Sequence, residues 1–279
     1  MQLFDTHCHL QDERYGTGLE DVLRRAAEAG VRRMVCCGTG PGDWERVLHL
    51  AERRTCIIPM LGLHPWYLGE ADPGWFSRLE ALARAHAVGI GECGLDFALE
   101  SPDRPAQEAA FTAQLRLARE LDRPVSIHCR KAWESLLGIC RTEGIPQRGA
   151  VVHAFSGSPE VALQLQDLGL HLSFACSLAN PANKRAAKAL LAVRTDRLLL
   201  ETDSPDIPPR HLPDWPAEAL NEPCHIRVVL EAAARIRGID PGVLGDQVFE
   251  NATNVLYIKY LYFSTGLQIS SLPLEGPKP

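Results

Sequence analysis

The sequence predicts an α/β protein built as one (β/α)8 TIM barrel, distorted and extended by an extra C-terminal helix. Three observations predict it. Eight short apolar runs alternate with amphipathic, helix-patterned segments. The runs are apolar on both faces, as strands of a parallel sheet covered by helices must be. The length, 279 residues, suits the roughly 250 residues of one such barrel. An open, doubly wound sheet is the competing architecture, but its first strand would lead into a Gly-rich turn over a dinucleotide. The first run here leads instead into "THCHL".

In chain order the runs are "QLFDTH", "RMVCCG", "CIIPMLGLH", "AVGIGECG", "PVSIHC", "AVVHAF", "LHLSFA" and "LLLETD". Between the first two, residues 19–29 carry a helical apolar period that stops at Gly30. After the fourth, residues 107–121 do the same and stop before Pro124, which cannot continue a helix. A loop rich in proline (Pro205, Pro208, Pro209, Pro213, Pro216, Pro223) follows the eighth run, then a helix over 224–237 and a shorter helical region over 241–256. The barrel with its added helix is expected to occupy 1–263. Residues 264–279, ending in "EGPKP", are expected to form a flexible tail, because small, Pro- and Gly-rich termini seldom pack. No linker, repeat or low-complexity segment interrupts the chain.

Composition excludes several classes. Hydrophobic residues make up 46% and charged residues 23%, yet no stretch approaches the ~20 apolar residues of a membrane span. The N-terminus enters a strand at once, without the basic and apolar regions of a signal peptide. The expectation is a cytoplasmic protein with no membrane association. Nine cysteines, odd in number and without a CxxC pair, argue against a disulfide framework or a cysteine zinc site. Reduced, mostly buried thiols are expected. The net charge of −6 opposes broad electrostatic wrapping of nucleic acid and leaves room only for a local basic rim. Nothing in the sequence sets an oligomeric state, and a monomer suffices for such a barrel.

Chemistry concentrates at the strand ends. In "FDTHCHL" the period of two sends Asp5, His7 and His9 to one face and Phe4, Thr6, Cys8 and Leu10 to the other. Two buried imidazoles beside a carboxylate need several partners, and a divalent cation supplies them together. His64, Glu92, His128, His153 and Asp203 close the third, fourth, fifth, sixth and eighth runs. In a (β/α)8 barrel those ends form one face, where active sites are built. Four histidines with Glu92 and Asp203 exceed one tetrahedral shell and suit two metals sharing a carboxylate.

Seven segments, "DTHCH", "GLHP", "GECGLDF", "VSIHCR", "HAFSG", "ETDSP" and "NEP", occur in one order. On them the sequence resembles the TatD family of metal-dependent hydrolases, within the amidohydrolase superfamily, over residues 2–256; "DTHCH" alone is common to the superfamily. The resemblance implies two divalent cations, of Zn, Mn, Ni, Fe or Mg. It puts His7, His9, Glu92 and Asp203 around one, and Glu92, His128 and His153 around the other. Glu92 is then the bridge, where many superfamily members use a modified lysine. It also implies that His64 contacts the scissile phosphate and that the activity is that of a deoxyribonuclease, commonly an exonuclease, acting on DNA or another phosphodiester. Cys93 stands where the family usually has an aliphatic residue, and Cys129 where serine is common; neither is needed as a ligand. The segment beyond Leu256 has no family counterpart.

Other residues carry two readings each. Asp5 either hydrogen-bonds a ligand histidine and fixes its tautomer, the favoured role, or caps the barrel interior. Arg130 and Lys131 either meet a phosphate oxygen or are solvated charges at a helix start. His49, His86, His171 and His225 fall off the carboxyl-end positions and read as structural. Asp203, with Glu92, is the expected catalytic pair, Asp203 taking or orienting the proton of the attacking water. The same centre would also serve hydrolysis of a small ester, amide or lactone. A metal-binding barrel used only to recruit a partner is the remaining reading. Against it, a closed structural site needs neither Asp203 nor His64. No aromatic-rich basic groove for single strands is legible.

Overall fold

The computed structural model describes residues 1–212 and 215–256. Its eight strands are β1 (Leu3–Cys8), β2 (Val31–Cys37), β3 (Ile57–Leu61), β4 (Gly89–Asp96), β5 (Val125–Arg130), β6 (Ala150–Val152), β7 (His171–Phe174) and β8 (Leu198–Leu200). All are parallel and paired in sequence order. The ring closes just past β8, where Asp203 N donates to His7 O (2.9 Å) and His9 N donates to Ser204 O (2.7 Å). This is the expected barrel. Its distortion lies in unequal strands, from eight residues in β4 to three in β6 and β8.

The outer layer is α1 (Leu19–Glu28), α2 (Trp44–Arg53), α3 (Trp75–Ala85), α4 (Arg104–Glu120), α5 (Trp133–Glu143), α6 (Pro159–Asp167), α7 (Lys184–Ala192) and α8 (Ile226–Arg237), followed by α9 (Pro241–Leu256). Helix α4 starts earlier than its apolar period, because Asp103 caps it by accepting from Ala106 N at 3.0 Å and a proline occupies its first turn. The region over 241–256, expected to be short, is a 16-residue helix, longer than the 12 residues of α8. Its function in the fold is to plug the barrel. Ala252, Val255 and Leu256 pack with Phe4, Val35, Cys37, Ile58, Met60, Val151 and Leu199 from the strands. Asn251 Nδ2 ties the helix to Thr195 O and Leu198 O at 2.7 and 3.0 Å.

Strict alternation fails along β1. Phe4 belongs to the same interior cluster as Cys37, and Cys37 Sγ lies 3.4 Å from His7 Nδ1. Phe4 and His7 therefore share a side that the period of two would have separated. The physical reason is a register irregularity between Asp5 and Cys8, where β1 uses one residue more than β2. All nine thiols are free, as expected. Among the described residues no helix is long and apolar enough to cross a membrane. The tail expected over 264–279 lies outside the described residues.

Close approach at the head of the barrel depends on Gly94. Its φ is +142°, and a Cβ there would overlap the His128 carbonyl on β5. Gly94→Ala is predicted to lower unfolding stability by about 2 kcal/mol or more, through strain and overpacking together. Gly138→Ala, in the interior of α5 with open space around its Cβ, is predicted to raise it by about 0.5–1 kcal/mol. Urea midpoints of the two variants check this; an unchanged midpoint for Gly94→Ala contradicts it.

Candidate metal centre

The carboxyl ends of the strands bring the polar residues to one place. His7 is on β1 and His9 just beyond it, His64 follows β3, Glu92 lies within β4, His128 within β5, His153 follows β6, and Asp203 follows β8. Glu92 is at the centre, buried, with five imidazoles around its carboxylate. One oxygen, Oε2, faces His7 Nε2 (3.2 Å) and His9 Nε2 (3.4 Å). The other, Oε1, faces His153 Nε2 (2.7 Å), His128 Nδ1 (3.0 Å) and His64 Nε2 (3.2 Å). Asp203 Oδ1 is 3.5 Å from His9 Nε2 and 3.7 Å from His7 Nε2. Its backbone is left-handed, φ +57°, an uncommon conformation that tends to mark functional positions.

Three sets of side chains place ligand atoms within 4.8 Å of one another: His7, His9 and Glu92; His7, His153 and Asp203; and His64, Glu92 and His128. The grouping is more interlocked than the two expected shells, which shared Glu92 alone. The His7 and His153 rings stack at 3.9 Å, which lets His153 join Asp203, and His64 joins the set expected to lack it.

Hydrogen bonds on the far side of each ring decide which nitrogen offers a lone pair. His9 Nδ1 donates to the carbonyl of Cys37 at 2.8 Å, which leaves Nε2 bare. His128 Nε2 donates to Asp96 Oδ2 at 3.2 Å, which leaves Nδ1 bare. His7 Nδ1 pairs with Ser126 Oγ at 2.9 Å, and His153 Nδ1 lies 3.5 Å from Glu201 Oε1. His64 is reversed. Trp66 N donates to His64 Nδ1 at 3.2 Å, so in the neutral ring the proton is on Nε2, pointing into the site. His64 thus presents a donor where the others present acceptors. Bare lone pairs on His9 and His128 facing a carboxylate require a positive charge between them, and this donor set fits divalent cations with nitrogen and oxygen ligands.

Without a cation, protons fill that place. Burial works against charge on Glu92, but His153, His64 and His7 hold its carboxyl well below the usual carboxylate range. Burial also opposes charge on His9, yet its bond to Asp203 and the field of Glu92 and Asp203 push it up to about 9. His153 is likewise raised by Glu92 and Glu201 against its burial. Burial and the neighbouring His153 pull His7 down to about 4.

The expected ring partner for a ligand histidine, Asp5, has other partners. Its oxygens accept from Thr202 N (2.8 Å), Thr202 Oγ1 and His7 N (3.4 Å), and no histidine ring nitrogen is among them. Asp5 joins β1 to the end of β8, closer to the second reading, and burial pushes its carboxyl up to about 8. The ring partners are Ser126, Asp96, Glu201 and the Cys37 carbonyl, none of which sequence reasoning named. A signal existed for two: Ser126 and Asp96 lie two and four residues from His128 and Glu92, on the period of their own strands.

Above the centre opens a cleft of about 1110 Å3. Arg130 is on its wall, its Nη1 3.4 Å from Asp96 Oδ2; Lys131 is exposed and does not line it. His49, His86, His171 and His225 lie outside the cleft. Arg14 and Arg46 line it too, but Arg14 is paired with Asp12 and Asp206 and Arg46 with Glu13.

Residues 4–257 match the family model described as TatD related DNase. The chain is 32% identical to the uncharacterized metal-dependent hydrolase YabD of Bacillus subtilis, over 92% of this chain and 99% of that protein. It is 36% identical to the 3'-5' ssDNA/RNA exonuclease TatD of Cronobacter sakazakii, over 92% and 98%. The crystal structure of YJJV, a TatD homolog from Escherichia coli K12, superposes with a TM-score of 0.85 at 30% identity, covering 91% of this chain and 97% of that one. Matched along nearly its whole described length, the chain belongs to the TatD related DNase family of metal-dependent hydrolases.

Proposed function

We propose that the protein is a two-metal phosphodiesterase that removes nucleotides from the end of a DNA or RNA strand. The observation that carries this reading is the division of the Glu92 oxygens, Oε2 toward His7 and His9 and Oε1 toward His128 and His153. Relatives named as 3'-5' ssDNA/RNA exonucleases support the choice of substrate and of the strand end. Nine free thiols suit a reducing cytoplasm.

In this reading His7, His9, Asp203 and Glu92 would hold one cation, and Glu92, His128 and His153 the other. A histidine-rich set favours Zn, Mn, Ni or Fe over Mg. Bound there, two such cations would lower the pKa of a water toward ~7 and neutralise charge on a phosphate. The chain's own groups do the rest. Asp203, which lines the cleft and stands 3.5 and 3.7 Å from the His9 and His7 nitrogens, receives the proton of the attacking water. His64 Nε2–H donates to a phosphate oxygen, and its orientation is held by Trp66 N. Arg130 flanks the same oxygens from the cleft wall.

Asp203 serves as proton acceptor and only a weak ligand, so Asp203→Asn, whose amide has nearly the same shape, is predicted to retain metal and fold while losing roughly 10²- to 10⁴-fold in turnover, the range of general acid–base groups. His64→Ala should keep its metal and lose more activity on phosphodiesters than on carboxylic esters. Metal content measured beside turnover of both substrate types checks each. Near-normal turnover in a fully loaded Asp203→Asn enzyme removes Asp203 from the mechanism, and equal losses on both substrates remove the phosphate role of His64.

Metal binding should depend on pH in one direction. His9, with its pKa raised to about 9, carries a proton below that pH, and this proton competes with the cation. Affinity is therefore predicted to rise from pH 6.5 toward 9, roughly tenfold per unit for each proton displaced. Calorimetry with Mn2+ in buffers of different ionisation enthalpy at pH 7 should register proton release. Buffer-independent heats and a flat pH profile contradict it.

A further inference from the structure

Trp66 and Tyr67 are 50% and 39% exposed and both line the cleft. The other exposed large apolar side chains among the described residues, Met1, Leu163, Leu191 and Val243, lie outside it. Trp66 is exposed yet held. Its Nε1–H donates to Asp96 Oδ2 at 2.7 Å. Its ring meets His64 edge-on, with centroids 4.9 Å apart and planes at 88°, and stands 6.1 Å from His128. The same Asp96 oxygen accepts from His128 Nε2, so one carboxylate holds both the indole and a histidine of the metal centre. An indole with its polar edge pinned and its body open to a cleft is suited to stack on a planar ring.

The charges around it narrow the occupant. Arg14 and Arg46 are neutralised by Asp12, Asp206 and Glu13, Arg130 faces Asp96, and Glu70 adds negative charge to the lining, where Asp72 is itself paired with Arg78. A long polyanion would gain little from tracking such a rim. Affinity for a strand must come from a few contacts beside the scissile bond, and base stacking is the contact that does not depend on charge.

We infer that Trp66, flanked by Tyr67, is the platform on which an unpaired nucleobase stacks beside the scissile phosphate. This rests on the phosphodiesterase reading above. A base still paired in a duplex keeps its faces against its neighbours and cannot lie on the indole without leaving the stack.

The test compares two DNA decamers, one unmodified and one with an abasic tetrahydrofuran residue at each end. Initial rates are taken with the Mn2+-loaded wild type, Trp66→Ala and Trp66→Phe, with metal content checked in each. In the wild type, loss of the terminal bases is expected to lower kcat/KM roughly 10- to 100-fold, the size of one aromatic stack, chiefly through KM. In Trp66→Ala that ratio should collapse to within about twofold, and Trp66→Phe should keep most of it, since a phenyl ring still stacks. A wild-type ratio near one, or a full ratio in Trp66→Ala, overturns the platform while leaving the nuclease reading intact. Turnover of bis(p-nitrophenyl) phosphate with no cleavage of either decamer overturns the nucleic-acid reading, and the platform with it.

Discussion

A single buried carboxylate surrounded by five imidazoles is the constraint from which the rest follows. Glu92 lies within 3.4 Å of His7, His9, His64, His128 and His153. An ionised carboxylate at that depth is tolerated only beside compensating positive charge. Protons on His9 and His153 supply part of it, and cations would supply more while leaving the imidazoles neutral. The bonds from His9 to Cys37 O and from His128 to Asp96 aim bare nitrogens at the carboxylate. They are what separates a ligand cage from a satisfied polar core.

The fold serves that carboxylate. Parallel strands in sequence order put every carboxyl end on one rim, so residues almost 200 positions apart become neighbours. Closure past β8 is made by the backbones of His7, Asp203, His9 and Ser204 themselves. Thr202 adds its bonds to Asp5 at the same seam. The join of the barrel and the mouth of the site are one structure, and a disturbance of either is felt by both. Helix α9 fills the opposite end with apolar side chains, which keeps the polar residues confined to the rim.

Much of this was legible in the sequence because strand ends and period two are local signals. Eight apolar runs showed the barrel, and the polar residue closing most of them showed the rim. What escaped reading was set by contacts between strands. The extra residue in β1, which puts Phe4 on the side of His7, appears only in register with β2. The sequence favours Asp5 as a ring partner because a metal-bound histidine nearly always has one, but its bonds to Thr202 are decided by closure of the barrel. The true ring partners come from other strands or from a carbonyl, and a carbonyl has no residue type to announce it. His64 was read as standing apart from the metals. It does touch Glu92, and its proton on Nε2, set by Trp66 N, is what gives it a different function from its neighbours. The aromatic cleft was missed because Trp66 and Tyr67 are only two residues, gathered with the rim by folding.

The most direct test of the shared carboxylate is metal titration of Glu92→Gln, followed by elemental analysis of the loaded protein. Gln keeps the shape but turns one oxygen into an amide nitrogen that donates and cannot coordinate, and it removes the charge that both cations share. If Glu92 serves both, the two sites weaken together, each by roughly tenfold or more. If one cation binds the variant as tightly as it binds the wild type, Glu92 belongs to a single site and the shared-carboxylate centre is wrong.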